Sequence, residues 1–156
     1  RFVTPIHLVY QVGAGRAQSA FLRGVMERRL LGQRCSGCHK VYVPPRGCCP
    51  TCGITTEDEV EVEQQGTVTT FCVVNIPFEG QEIDPPYICA AVLLDGADTP
   101  LFHLVGGCPV DEVRMGTRVR AVWVEDDAME PTLESIRYFE PNGEPDAPFE
   151  SYREHL

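Results

Sequence analysis

From about Gln18 to Leu31, apolar residues recur every three or four positions: Phe21, Leu22, Val25, Met26 and Leu30. That period predicts an amphipathic helix, with Ser19 as its cap and Gly32 as its stop. Arg23 lies off the apolar stripe, and Arg28 and Arg29 largely do, which gives the helix a basic back. Its apolar face has two outlets, the chain's own body or a partner. Ahead of it, residues 1–15 carry Thr4-Pro5 and Gly13-Ala14-Gly15 without any period, as an irregular arm or linker does.

From Glu59 onward the pattern changes to strands. The stretches are Glu59 to Glu63, Thr67 to Ile76, Tyr87 to Leu94, Leu101 to Val105, Val119 to Val124 and Leu133 to Phe139. Gly66, Asp95-Gly96, Gly106-Gly107 and Gly116 supply turns or bends. Val68, Cys72, Val74 and Ile76 share one parity, and Phe71 and Val73 occupy the other. Apolarity on both parities suits a strand curling through a small closed barrel. Several strands with no helical pattern between them favour a barrel of the OB type, and a small β-sandwich is the alternative. Residues 77–86 form a long loop, either functional or a flexible crossover. Residues 140–156 are rich in Pro, Glu and Asp and read as a tail that a partner would order.

Between helix and barrel lies the strongest chemical signal. Cys35-Ser36-Gly37-Cys38 and Cys49-Pro50-Thr51-Cys52 are two Cys-x-x-Cys knuckles. Four thiolates at tetrahedral corners are what zinc takes, and a four-thiolate site leaves no open position, so the zinc is structural. Iron in a rubredoxin-like site is the competitor, and a disulfide pair is the remaining alternative. Gly37 and Gly53 suit turns that need left-handed or unhindered backbone. Val41-Tyr42-Val43 reads as a short strand ended by Pro44 and Pro45. Cys48 has no x-x spacing to Cys52, and Cys72, Cys89 and Cys108 sit in apolar contexts as small buried hydrophobes. Thiols used this way imply a reducing, cytoplasmic setting.

Charge divides the chain. Residues 1–46 hold eight basic residues and one acid, a net +7, and the rest carries −17, for a total of −10. The negative total disfavours general nucleic-acid binding. The basic head suits an anion or an acidic partner, or it docks on the chain's own acidic body. No stretch approaches a membrane span of about 18 apolar residues. The sequence opens at Arg1, without Met or a charged-then-apolar leader, as a processed product or a piece of a larger polypeptide would. No Gly-x-Gly-x-x-Gly, P-loop or nucleophile elbow is present. His39 follows the first knuckle but four cysteines suffice, His103 in its strand reads as structural, and Glu125-Asp126-Asp127 reads as a solvated strand end. No catalytic constellation emerges.

The helix with Phe21-Leu22-x-Gly24 is followed by Gln33-Arg34-Cys35-x-x-Cys38, Val43-Pro44-Pro45-Arg46, Cys49-Pro50-x-Cys52-Gly53 and a strand opened by Gly66. This order, over roughly residues 5–140, resembles an acyl-CoA-associated family known as the domain of unknown function numbered thirty-five. The resemblance implies a mainly β chain with an N-terminal helix, a rubredoxin-like zinc ribbon and a C-terminal OB-fold barrel. It implies a non-catalytic partner of thiolase-fold enzymes, like the accessory partner of a retro-aldolase that releases a short acyl-CoA from a steroid side-chain thioester. Fusion to a hydratase-like domain is a further implication.

The expected organisation is an arm and helix over 1–33, a zinc ribbon over 34–56, the barrel over 57–140 and an acidic tail over 141–156. Cys35, Cys38, Cys49 and Cys52 are the expected metal ligands. Arg23, Arg28, Arg29 and Arg46 are candidates for the phosphates of coenzyme A, as a shared ligand, or for acidic groups of the partner, because the guanidinium fork matches either. The expected assembly is a hetero-oligomer in which helix and ribbon rim meet the thiolase-fold protein. Two other readings compete. One is a single-stranded nucleic-acid-binding module in which Phe71, Tyr87, Phe102 and Trp123 stack bases. The other is a self-sufficient acyl-CoA enzyme, for which the sequence offers no residues.

Overall fold

The computed structural model describes residues 8, 9 and 11–156. The expected arm over 1–15 lies partly outside the described residues, and Gly13 to Gly15 have no regular structure. One helix, α1 (Arg16–Met26), precedes eight strands: β1 (Leu30–Arg34), β2 (Val41–Tyr42), β3 (Asp58–Val62), β4 (Gln65–Val74), β5 (Tyr87–Leu94), β6 (Leu101–Val105), β7 (Arg118–Trp123) and β8 (Ile136–Pro141). β2, β1 and β3 form an antiparallel sheet in that order, and β4-β5-β6-β8-β7 close into a barrel. The barrel is the five-stranded OB architecture.

α1 stops five residues before the periodicity does. The amide of Arg29 donates to Gly24 O at 2.8 Å and that of Arg28 to Val25 O at 2.9 Å. Arg28 itself is left-handed, at φ 56°. These bonds are the paired six-to-one and five-to-two bonds of a Schellman ending, with arginine where glycine is usual. Leu30 and Leu31, on the helical period by sequence, therefore start β1. Gly32 does not stop the helix. It lies inside β1, where a Cβ would come within 2.8 Å of Val41 and 2.9 Å of Val43. Ser19 is not the cap either: Gly15 is, and the Ser19 hydroxyl donates to Ala14 O.

The apolar face of α1 is spent on the chain itself. Phe21 and Val25 are buried in one continuous core with Leu30, Val41 and Val62 of the N-terminal sheet, Val43 just after β2, and Val68, Ile88, Val92, Leu94, Val119, Ile136 and Phe139 of the barrel. β3, expected in the barrel, instead pairs with β1 from Leu30↔Val62 to Arg34↔Asp58. The N-terminal sheet and the barrel thus share a hydrophobic interior, and burial of this kind is worth roughly 25 cal/mol per Å².

A bulge in β4 decides which way the barrel's cysteines face. Between Val68 and Thr70 the register against β5 shifts by one residue. Thr69 is the extra residue, fully buried, its hydroxyl donating to Ala91 O at 3.2 Å. A bulge resets the alternation. Val68 points inward, but beyond the bulge Phe71 and Val73 take the inner positions and Cys72 is exposed. Cys89 is exposed as well, because Ile88 and Ala90 face the core, and Cys108 is only half-buried. The expectation of buried thiols therefore fails for Cys72 and Cys89, while Cys108 packs half-buried against the core.

Residues 141–156 are not a loose tail. Ala147 N donates to Gly116 O at 2.8 Å, Tyr152 is buried, and His155 Nδ1 lies 3.0 Å from Asp98 O. Arg118 anchors the segment. Its side chain is 13% exposed and bonds both Asp95 carboxylate oxygens (2.7 and 2.6 Å), Glu144 (3.0 Å) and the Thr67 hydroxyl (3.1 Å). Arg118→Met is expected to lower the unfolding free energy by about 2 kcal/mol, since its carboxylate partners stay partly hydrated. Urea titration followed by Trp123 fluorescence measures this. The hydrogen bond from Arg118 also holds the Glu144 carboxyl below its usual range. That contribution is complete above the unfolded carboxyl pKa of about 4.3. It is lost as pH falls through the lower folded value, so Arg118→Met should blunt the acid-side loss of stability.

Candidate metal centre and docking surface

The two knuckles are built alike. His39 N donates to Cys35 O, and Gly53 N donates to Cys49 O, each at 2.9 Å. The left-handed residue that closes each turn is His39 (φ 62°) in the first and Gly53 (φ 69°) in the second. Gly37 serves instead by being small: a Cβ there would lie 3.3 Å from Cys52 Sγ. His39 is thus a turn residue and stands outside the thiol cluster.

The sulfurs of Cys35, Cys38, Cys49 and Cys52 all lie within 4.8 Å of one another. Cys38 Sγ and Cys49 Sγ are 3.6 Å apart, close to the roughly 3.8 Å expected of tetrahedral corners about 2.3 Å from zinc. Gly37 N and Cys38 N donate to Cys35 Sγ at 3.3 and 3.4 Å, and Cys52 N donates to Cys49 Sγ at 3.3 Å. The Tyr42 hydroxyl sits 3.2 Å from Cys49 Sγ. Burial opposes ionisation of Cys49, yet the bonds from Tyr42 and the amides outweigh it and bring the thiol down to about 6. Cys52 is pushed up to about 12, first by its hydrogen bond to Cys38 and then by burial. Four thiolates this close cannot all ionise unless a cation sits between them, and the donor set fits a structural metal.

The candidate arginines separate into two kinds. Arg28 is tied to Asp126 (2.6 Å) and to Val124 O (3.1 Å), and Arg29 to Glu61 (2.9 Å) and Glu27 (3.2 Å). Half of the proposed anion-binding set therefore docks on the chain's own acidic body. Arg23 and Arg46 are exposed and form no ion pair among the described residues. Arg46 lines a cleft of about 500 Å³ with Arg16, Pro44 and Pro45 beside the first turn of α1. Arg23 is not among the residues lining that cleft. Arg16 was not singled out by sequence, since a basic residue in a first helical turn carries no motif.

Elsewhere on the surface, the outer face of β5 and β6 and the loop before β5 present exposed apolar side chains. Phe102 is 75% exposed and Ile76 77%, and Phe78 and Ile83 are exposed too. Ile83, Cys89, Phe102 and Leu104 line a groove of about 410 Å³, edged by Glu82, Glu134 and Arg137. The sequence singled out Phe102 only as a base-stacking candidate and residues 77–86 only as a loop, and did not join them into one apolar surface. Its signal was Leu101-Phe102-His103-Leu104-Val105, apolar on both parities although only one parity faces the core. His103 bonds Leu133 O through Nε2 at 3.1 Å and packs edge-on against Phe139, as a structural histidine does. Burial pushes its pKa down. Of the proposed base-stacking residues, Phe71 packs on the core and Trp123 donates to Gln64 Oε1 at 2.8 Å. Phe102 stands beside two glutamates, which repel a polyanion.

Among the described residues, no helix is long and apolar enough to cross a membrane. Two family profiles match: "ChsH2, rubredoxin-like zinc ribbon domain" over residues 23–57 and "ChsH2, C-terminal OB-fold domain" over residues 59–124. The chain is similar to a DUF35 domain-containing scaffold protein of Methanocaldococcus jannaschii, with 34% identity over 103 residues that span 65% of this chain and 72% of that protein. It is 33% identical over 112 residues to a probable enoyl-CoA hydratase alpha subunit of Thermomonospora curvata. That match takes in 72% of this chain but only 34% of the relative's length. A solved chain described as an Ltp2-ChsH2(DUF35) aldolase superposes with a TM-score of 0.63 at 28% identity, covering 84% of this chain and 98% of the other. A DUF35 structure of unknown function from Sulfolobus solfataricus shares the fold at 22% identity and a TM-score of 0.59. By its ribbon, its barrel and these relatives, the chain belongs to the DUF35 family, with a zinc ribbon and an OB-fold that match the ChsH2 domain profiles.

Proposed function

We propose that this chain is a non-catalytic accessory subunit that binds and activates a thiolase-fold acyl-CoA enzyme, a retro-aldolase that cleaves a steroid side-chain thioester and releases a short acyl-CoA. The observation that carries the reading is the uncovered apolar surface around Phe102, Ile83 and Leu104. Large exposed apolar patches rimmed by polar groups mark protein interfaces. The acidic rim suits a partner that presents an apolar knob among basic residues. This revises the expected docking mode, because the apolar face of α1 is already buried within the chain. The family and the aldolase relative support the partner's class.

In this reading zinc holds the ribbon in shape and takes no part in turnover. The partner supplies the reacting groups. Fusion to a hydratase-like domain is suggested by the Thermomonospora relative's name. The phosphates of coenzyme A are assigned to Arg46 and its neighbour Arg16, with Arg23 as a further contact. The double substitution Arg16→Glu and Arg46→Glu should raise the KM of the assembled enzyme for its CoA thioester by about tenfold, equivalent to roughly 1.4 kcal/mol, while the complex stays intact. An unchanged KM in the intact complex contradicts the phosphate assignment.

A further inference from the structure

Two cysteines outside the ribbon face each other. Cys72 of β4 and Cys89 of β5 are direct partners in the antiparallel register, and both are exposed. Directly opposed residues in such a ladder have Cα atoms about 4.5–5.5 Å apart, inside the window of about 4.4–6.8 Å that a disulfide spans. A disulfide also draws the Cβ atoms to about 3.5–4.5 Å, slightly closer than opposed strand residues normally stand. β4 has room to give. Its pairing with β7 covers only Gln65–Thr67, and Val68 is the last β4 residue bonded on that side, through Gly116 and Thr117. From Thr70 to Val74 the strand is paired to β5 alone.

The remaining thiols are placed differently. Cys48 is also exposed, but its backbone pairs with Thr55 and no cysteine stands opposite it; Cys108 is half-buried, and the other four belong to the thiol cluster of the ribbon.

We infer that Cys72 and Cys89 are a dithiol that a peroxide oxidises to a cross-strand disulfide on the outer face of the barrel. The Cys72 thiolate attacks one peroxide oxygen. The O–O bond breaks, hydroxide leaves, and Cys72 becomes a sulfenic acid. The Cys89 sulfur then attacks the Cys72 sulfur. The S–S bond forms, the S–O bond breaks, and the hydroxyl departs as water with the Cys89 proton. In sum, two thiols and one peroxide give one disulfide and two waters. The order of roles agrees with the surroundings: burial, with the neighbouring Cys72 charge adding to it, raises the Cys89 thiol, so it keeps its proton until the second step. Small thiols return the pair to its reduced form by exchange. The inference does not depend on the proposed partner.

The test uses the full chain loaded with zinc and exposed to hydrogen peroxide, followed by non-reducing peptide mapping and metal analysis. The expected product is a linked Cys72–Cys89 peptide, with zinc retained and the intact mass lower by two hydrogens. Cys72→Ser and Cys89→Ser should each abolish the linked peptide, and Cys108→Ser should leave it unchanged. In Cys89→Ser, dimedone should trap the sulfenic acid on Cys72. Sulfinic acid accumulating separately on Cys72 or Cys89 of the unsubstituted chain would overturn the inference, as would bridges confined to Cys48 or the ribbon.

Discussion

Cys49→Ser is expected to strip the chain of its metal and to unfold the sheet formed by β1, β2 and β3. Cys49 is buried, and its sulfur receives bonds from Tyr42 and Cys52. A serine there supplies neither the thiolate nor a sulfur at the tetrahedral corner. Structural zinc in isolated ribbon-sized peptides contributes on the order of 10 kcal/mol, against a total domain stability of about 5–15 kcal/mol. β2 is two residues long and β1 five, too little structure to stand without the ion. The damage should spread, because Leu30, Val41 and Val43 share the core with the barrel residues Val68 and Phe139. Metal analysis should show zinc in the unsubstituted chain at one ion per chain and none in the variant. Hydrogen exchange should show protection lost first across Leu30–Val62. A variant that keeps its metal and its melting curve contradicts the ribbon account.

Phe102→Asp is expected to abolish capture of the thiolase-fold partner while leaving the chain folded. The side chain is 75% exposed, so the substitution removes little from the core. In a complex it becomes a central anchor. Truncating such a residue typically costs about 2 kcal/mol or more, and an aspartate adds an unpaired buried charge. Binding weaker by about a hundredfold or more should follow, read by calorimetry against the purified partner, with an unchanged urea midpoint for the free chain. Equal affinity for both proteins would move the interface away from this face.

The parts of this fold written in local chemistry were legible in the sequence. Cys-x-x-Cys spacing located all four members of the thiol cluster, and the short apolar runs Tyr87–Leu94 and Leu101–Val105, bounded by turn residues, placed β5 and β6 at their observed bounds. What escaped depended on contacts distant in sequence. Leu30 and Leu31 continue the helical period of α1, and only the Schellman bonds at Arg28 and Arg29 turn them into a strand. Cys72 and Val68 share a parity until one bulge residue separates them. Arg28 and Arg29 look like free cations until Asp126 and Glu61 arrive from later in the chain. The last residues, polar and without period, dock because Arg118 offers Glu144 a nearly buried charge. The apolar groove joins Ile83 of a loop to Phe102 and Leu104 of a strand, and no single stretch of sequence contains it.

The central claim is that this chain works by docking on a thiolase-fold acyl-CoA enzyme. Affinity capture of the tagged chain from its native host, with mass spectrometry of what accompanies it in stoichiometric amount, tests it most directly. The account predicts a thiolase-fold enzyme in the eluate whose thioester turnover collapses when the chain is removed and returns when it is added back. Recovery of single-stranded nucleic acid or a replication protein, with no acyl-CoA enzyme, would contradict it.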